Sequence, residues 1–100
     1  MEIKKTAMAG SMESSDCMVT VRPGIHGIQI DLQSDVKVMF GESILATVRQ
    51  TLEELAVSDA EVSVLDRSAL DCVIRARVQC AACRAAETSW DWTKEVVCLG

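Results

Sequence analysis

The feature that most restricts the fold of this chain is a change of hydrophobic period after Ser34. Before it, Cys17, Val19 and Val21 alternate with Met18, Thr20 and Arg22, and Ile28, Ile30 and Leu32 alternate with Gln29, Asp31 and Gln33. Alternation at every second residue places one set of side chains on one face of an extended strand. After it, Val36, Phe40, Ile44, Val48, Leu52 and Leu55 recur at steps of three or four, the stripe of a helix that buries one side. A chain that carries both patterns must lay a sheet face against a helix face.

The two alternating runs are separated by Pro23-Gly24 and His26-Gly27, and they read as a β-hairpin with one face on the core. Ser34 or Asp35 stands where a helix cap is needed, Arg49 and Glu53 lie one turn apart, and Gly41 weakens the first turn. Ala60 to Leu65 reads as a third strand, closed by Asp66-Arg67-Ser68. The stretch from Leu70 to Glu87 fits two readings. As a helix it sets Leu70, Ile74, Val78, Ala81 and Ala85 on one face, with Asp71 as the cap. As a strand, Cys72, Ile74, Ala76, Val78 and Cys80 alternate with Val73, Arg75, Arg77 and Gln79. The run Ala81-Ala82-Cys83-Arg84-Ala85-Ala86 favours the helix. A strand that becomes a short helix near Val78 is the alternative. The expected order is therefore β-β-α-β-α, an α+β fold in which a small antiparallel sheet packs against two helices in two layers.

A chain of 100 residues supports one such core, without the bulk to wall in a deep active site as well. The expected organisation is a flexible N-terminal arm over 1–16, an α+β domain over 17–87 and a tail over 88–100. That tail carries Trp90 and Trp92 and fits no pattern. No apolar run approaches the ~20 residues of a membrane span. The opening Met1-Glu2-Ile3-Lys4-Lys5-Thr6 lacks the apolar core of a secretory signal. Five cysteines, an odd count, then read as reduced thiols in a cytoplasmic domain. Ten basic against fifteen acidic residues give a net charge of −5, with no basic block, which argues against nucleic acid as a partner. An acidic body of this kind suits basic surfaces on partner proteins.

Few residues carry chemistry. Cys80 and Cys83 have redox-pair spacing, but they lie within a helix-like run and read more simply as two small thiols sharing a face. A zinc site is weaker still, with one histidine far away. That histidine, His26, reads as a solvated loop residue, and Asp71 beside Arg75 and Arg77 as a helix cap with two solvated arginines. The segment Gly10-Ser11-Met12-Glu13-Ser14-Ser15-Asp16 has no hydrophobic period. It offers accessible hydroxyls beside local negative charge and no base to activate them. Ser14 or Ser15 therefore reads as an attachment point for an external modifying enzyme, or else the segment is an ordinary disordered arm.

Three blocks carry a resemblance. Ala7-Met8-Ala9-Gly10-Ser11-Met12-Glu13-Ser14-Ser15-Asp16-Cys17-Met18-Val19 closely resembles the N-terminal signature of citrate lyase acyl carrier proteins, the gamma chains of that complex. That signature runs approximately Ala-x-Ala-Gly-[Thr/Ser]-[Leu/Met]-Glu-Ser-[Ser/Gly]-Asp. Phe40-Gly41-Glu42-Ser43-Ile44 is similar to the family's Phe-Gly-Asp-x-Ile, and Ser68 to Val78 forms the third block. The similarity spans about Met1 to Ala86. Where the family commonly has glycine, this chain has Ser68; Cys80 and Cys83 are not family features.

The resemblance implies a carrier subunit rather than an enzyme, with no catalytic residue and no metal ligand of its own. The serine of the signature falls on Ser14, with Ser15 at the variable position. In the family that serine carries 2'-(5''-phosphoribosyl)-3'-dephospho-CoA through a phosphodiester. The thiol of this group holds an acetyl unit. The citrate lyase alpha chain exchanges acetyl for citryl, and the beta chain cleaves citryl to oxaloacetate and restores the acetyl thioester. Implied partners are these alpha and beta chains and a prosthetic-group transferase, with no membrane and no nucleic acid. Recognition by that transferase is assigned to Glu13 and Asp16. The alternatives are the acyl carrier of malonate decarboxylase, a cofactor-free partner-binding module, and a thiol redox protein built on Cys80 and Cys83.

Overall fold

The computed structural model describes residues 1–34 and 37–87. Its elements are β1 (Ala7–Gly10), β2 (Cys17–Pro23), β3 (Ile28–Ser34), α1 (Lys37–Glu54), β4 (Ala60–Asp66) and α2 (Asp71–Ala86). The strands form one sheet in the order β1-β2-β4-β3. Cys17, Val19 and Val21 of β2, Leu32 of β3 and Ala60, Val62 and Val64 of β4 are buried, so one face of the sheet supplies half of the core. Both helices pack on the sheet and on each other, α2 over β1 and β2 and α1 against β3. The two-layer α+β class expected from the period change is the class observed.

The sheet itself differs from the expected antiparallel hairpin. Strand β4 lies between β2 and β3, antiparallel to β2 from Cys17↔Asp66 to Pro23↔Ala60 and parallel to β3 from Ile28↔Ala60 to Ser34↔Asp66. The sheet is therefore mixed. The reversal of direction between β2 and β3 is real, but a third strand is inserted between the arms. Period-two alternation fixes which face a residue takes and says nothing about which strand sits alongside. The turn after β2 is splayed to accommodate the insertion. Gly27 N–H donates to Asp59 Oδ1 at 2.8 Å, and Ala60 N–H donates to the Gly27 carbonyl at 3.1 Å.

The N-terminal segment contributes an edge strand where an irregular arm is expected. Strand β1 pairs antiparallel with β2 from Ala7↔Val21 to Gly10↔Met18, so the true hairpin is β1–β2. Ile3 is buried, and the Lys4 and Lys5 amides both donate to the Ala85 carbonyl, at 2.9 and 3.0 Å. Ala9 is buried, as are Ala81, Ala82, Ala85 and Ala86 of α2, the helix that packs on β1.

In α1, Ile44, Val48, Leu52 and Leu55 are buried as the stripe requires, whereas Phe40 is half exposed. Asp35 and Val36, like the tail 88–100 with its two tryptophans, lie outside the described residues. The Ser34 hydroxyl donates to Asp66 Oδ2 at 2.8 Å and ties the ends of β3 and β4 together. Gly41 is buried within an unbroken helix. The helix closes with Ala56 at φ +57°, Ala56 N–H on the Glu53 carbonyl and Val57 N–H on the Leu52 carbonyl, the paired bonds of a Schellman ending.

The Leu70 to Glu87 stretch is a single helix from Asp71. Ile74, Val78, Ala81 and Ala85 are buried together, as the helical reading has it. Leu70 occupies the N-cap position without a side-chain cap and is largely exposed. Asp71 instead lies in the first turn, where its charge faces the positive end of the helix. Among the described residues no helix is long and apolar enough to cross a membrane.

Candidate functional site

Ser14 sits in the loop that joins β1 to β2. Strand pairing ends at Gly10↔Met18, and Ser11 N–H reaches back to the Cys17 carbonyl at 3.1 Å. Beyond it, Asp16 N–H donates to the Glu13 carbonyl at 3.1 Å and closes the four-residue turn Glu13-Ser14-Ser15-Asp16. Of the two central residues only Ser15 has a positive φ, +65°, the sign pattern of a type II turn. That third position favours glycine, which accounts for the alternation of Ser and Gly in the signature that the chain resembles.

Three elements tether this turn. The Asp16 carboxylate accepts from Ser11 Oγ at 2.6 Å and from Cys17 N–H at 2.7 Å. It also accepts both arms of a guanidinium, Arg77 Nε on Oδ1 and Arg77 Nη2 on Oδ2, each at 3.0 Å. Arg77 comes from the middle of α2, so the pair bolts the loop to the helix. From the end of β4, the Arg67 carbonyl accepts Ser15 N–H at 2.7 Å, Arg67 N–H donates to the Asp16 carbonyl at 2.9 Å, and Arg67 Nη1 donates to the Met12 carbonyl at 3.1 Å. Within this frame Ser14 stands exposed at the tip, and its hydroxyl makes no hydrogen bond to other described residues. Asp16, expected to face a modifying enzyme, is turned inward instead; Glu13 is exposed.

Electrostatics follow from these bonds. The Arg77 hydrogen bonds above all, then that from Ser11, hold the Asp16 carboxyl down at about 2. The folded chain thus holds this proton less readily than the unfolded one, and the stability gained is full above about pH 4 and lost as pH falls toward 2. Asp16→Asn is expected to flatten this acid limb, read as the urea midpoint at stepped pH. A mutant curve parallel to wild type would mean that the carboxylate contributes nothing there. Next to it, burial, with the charges of Asp16 and Asp66 adding to it, pushes the Cys17 thiol up to about 12, so this cysteine behaves as a core residue.

The family model described as malonate decarboxylase delta subunit matches residues 4–85. Among curated proteins, the citrate lyase acyl carrier protein of Clostridium perfringens is 47% identical over 94 residues, covering 92% of this chain and 93% of that one. The corresponding protein of Klebsiella pneumoniae is 50% identical over 96 residues, covering 94% and 99%. The chain belongs to the citrate lyase acyl carrier protein family. A solved structure with the same fold is a Pseudomonas malonate decarboxylase hetero-tetramer in complex with malonate, with a TM-score of 0.58 at 19% identity over 83% of this chain and 86% of that chain.

Elsewhere in this acyl carrier the other candidates do not assemble into a site. His26 is exposed in the loop after β2, at the opposite end of that strand from the Ser14 turn. Cys80 and Cys83 lie within α2, and burial first, then the neighbouring Cys80, raises the Cys83 thiol, opposite to what a redox pair needs. The arginines expected to be merely solvated beside an Asp71 cap are both engaged instead: Arg77 turns to Asp16, and Arg75 pairs with Glu54 of α1. Among the described residues no group of three or more histidine, cysteine or acidic side chains is placed to hold a metal.

Sequence reasoning singled out Ser14 in this carrier but expected a flexible arm around it, and it missed both the turn and what holds it. Asp16 and Arg77 are 61 positions apart, and no linear pattern pairs them. Gly10 offered one signal, since it stands in the signature. Its φ is +102°, and a Cβ there would lie 1.9 Å from the Cys17 carbonyl oxygen and 3.2 Å from Arg77 Cδ.

Proposed function

We propose that this chain is the acyl carrier subunit of a citrate lyase, and that Ser14 is its attachment point for 2'-(5''-phosphoribosyl)-3'-dephospho-CoA through a phosphodiester. One observation carries the reading. Ser14 is an exposed hydroxyl without a partner among the described residues, on a backbone held from three sides, in a chain about half identical to citrate lyase acyl carrier proteins over most of its length. A bulky group fits there because the hydroxyl is at the tip of the turn. The group supplies, when bound, a thiol for acyl transfer.

This chain's own residues anchor and present. Asp16 is engaged by Arg77, and His26 lies at the far end of β2, so neither is placed to take the Ser14 proton. Attachment therefore falls to a separate transferase, and cleavage and acyl exchange to the alpha and beta chains. The chain works as a non-catalytic, cytoplasmic component of that assembly. The description of the matching family model also suits a malonate decarboxylase carrier. Identities of 47–52% to citrate lyase carriers favour the first assignment.

The test is intact mass with peptide mapping on protein from its native host grown on citrate. A mass gain equal to the phosphoribosyl-dephospho-CoA group on the Ser14 peptide is expected, with lyase subunits copurifying. An unmodified chain from cells that cleave citrate would sink the reading, and copurifying decarboxylase subunits would replace it with the alternative.

A further inference from the structure

We infer that the Asp16–Arg77 pair is the positioning device of this site: it holds the Ser14 turn in the one shape that an external transferase engages. This rests on the reading of Ser14 as the attachment point. Ser14 and Glu13 are exposed, and β1 is only four residues long and sits at the edge of the sheet. A short edge strand with an exposed loop belongs to the least protected parts of a fold. Against this, one carboxylate gathers Ser11, the Cys17 amide and both arms of Arg77. A fork on a carboxylate fixes orientation as well as distance, which a single amine does not.

Gly10 belongs to the same device. The Arg77 side chain runs past it on the way to Asp16, and a Cβ at Gly10 would meet Arg77 Cδ at 3.2 Å. Gly10 ends β1, Asp16 precedes β2, and Arg77 lies mid-helix, so the pair joins both ends of the hairpin loop to α2. The Arg67 carbonyl then catches the Ser15 amide at 2.7 Å from the other side. The site holds its shape before any partner arrives, and a preformed turn lowers the ordering cost of recognition.

The chemistry assigned to the partner balances without help from this chain. One P–O bond forms from Ser14 Oγ to an activated phosphoanhydride donor. One P–O bond to the departing pyrophosphate breaks, and the hydroxyl proton passes to the transferase. Arg77 touches none of these atoms; it acts through Asp16 and the turn.

The experiment compares full-length wild type, Arg77→Met and Arg77→Lys by two readouts. On the unmodified chain, amide hydrogen exchange at Ser15 is expected to rise about five- to thirtyfold in Arg77→Met, while amides of Val62 and Val64 in β4 keep their protection. With purified transferase and donor, mass spectrometry is expected to show a rise in KM for the carrier of similar size with kcat little changed. Arg77→Lys keeps the charge and loses the fork, so it should recover only part of both. Unchanged Ser15 exchange in Arg77→Met would overturn the inference. So would a rise spread equally over β4, which would make Arg77 a contributor to global stability alone. Full recovery by lysine would remove the role of the fork. The exchange readout needs no attached group. A wild-type chain never modified at Ser14 would therefore bring down the attachment reading, while Ser15 exchange in the same chain would still decide whether Arg77 clamps the turn.

Discussion

Ser14→Ala is expected to leave the folded chain unchanged and to abolish attachment entirely. Ser14 is exposed and its hydroxyl has no partner among the described residues, so the substitution falls among surface changes within about ±0.5 kcal/mol. The expected effect on function is all-or-none, because the proposed phosphodiester requires that oxygen. After incubation with transferase and donor, the variant should keep its unmodified mass, and a lyase complex assembled on it should fall to background. Ser15 provides the internal control. Its φ of +65° lies in the left-handed region where glycine is at ease, so Ser15→Gly should fold at least as well as wild type and be modified at Ser14. A mass gain that persists in Ser14→Ala, or disappears only in Ser15→Gly, would move the anchor off Ser14.

The largest loss of stability from one added methyl group is expected at Gly10. An alanine there must adopt φ +102° and place its Cβ 1.9 Å from the Cys17 carbonyl oxygen, well inside any van der Waals contact. Relief requires β1 to move off β2. That movement strains the Ser11 amide bond to Cys17 and pushes against Arg77. A backbone clash on top of an unfavourable φ is worth about 3 kcal/mol or more. In a domain of this size that lowers Tm by more than about 10 °C. Gly27 separates the two causes, since it also has a positive φ, +79°, yet nothing lies within 4 Å of its added Cβ. Gly27→Ala should therefore cost only about 1 kcal/mol. Equal Tm losses in the two variants would show that the close approach at Cys17 does not constrain the chain.

What was legible in the sequence is what short-range periodicity can encode. The faces of β2, β3 and β4, the buried stripe Ile44-Val48-Leu52-Leu55 and the inward face of α2 all follow from spacing alone. Strand neighbours do not, because Cys17, Leu32 and Val64 present the same alternation whichever strand lies between them. Strand β1 escaped notice because it is four residues of Ala, Met and Gly, too short and too small to show a period. The departure at Ser68 has a backbone explanation. Ser68 has φ +64°, the left-handed region where glycine is at ease, and here the turn is held by Ser68 and Ala69 amides on the Asp66 carboxylate, at 3.3 and 3.0 Å. Ser14 could be proposed as an attachment point from its neighbours in sequence. Its support could not, since Arg67 and Arg77 reach it from elements folded against it from elsewhere in the chain.

The place of β4 has a consequence for how such a chain comes into being. Of the described strands it is the last to be synthesised, yet it is the one that β2 and β3 both pair with. Without β4, the β1–β2 hairpin and β3 are each left with an edge that this strand fills in the folded chain. A fragment that stops before Ala60 is therefore two loose halves rather than a smaller domain. Conversely, a peptide covering β4 and α2 carries the whole of the missing middle, and it is the natural piece with which to complete the N-terminal half in trans.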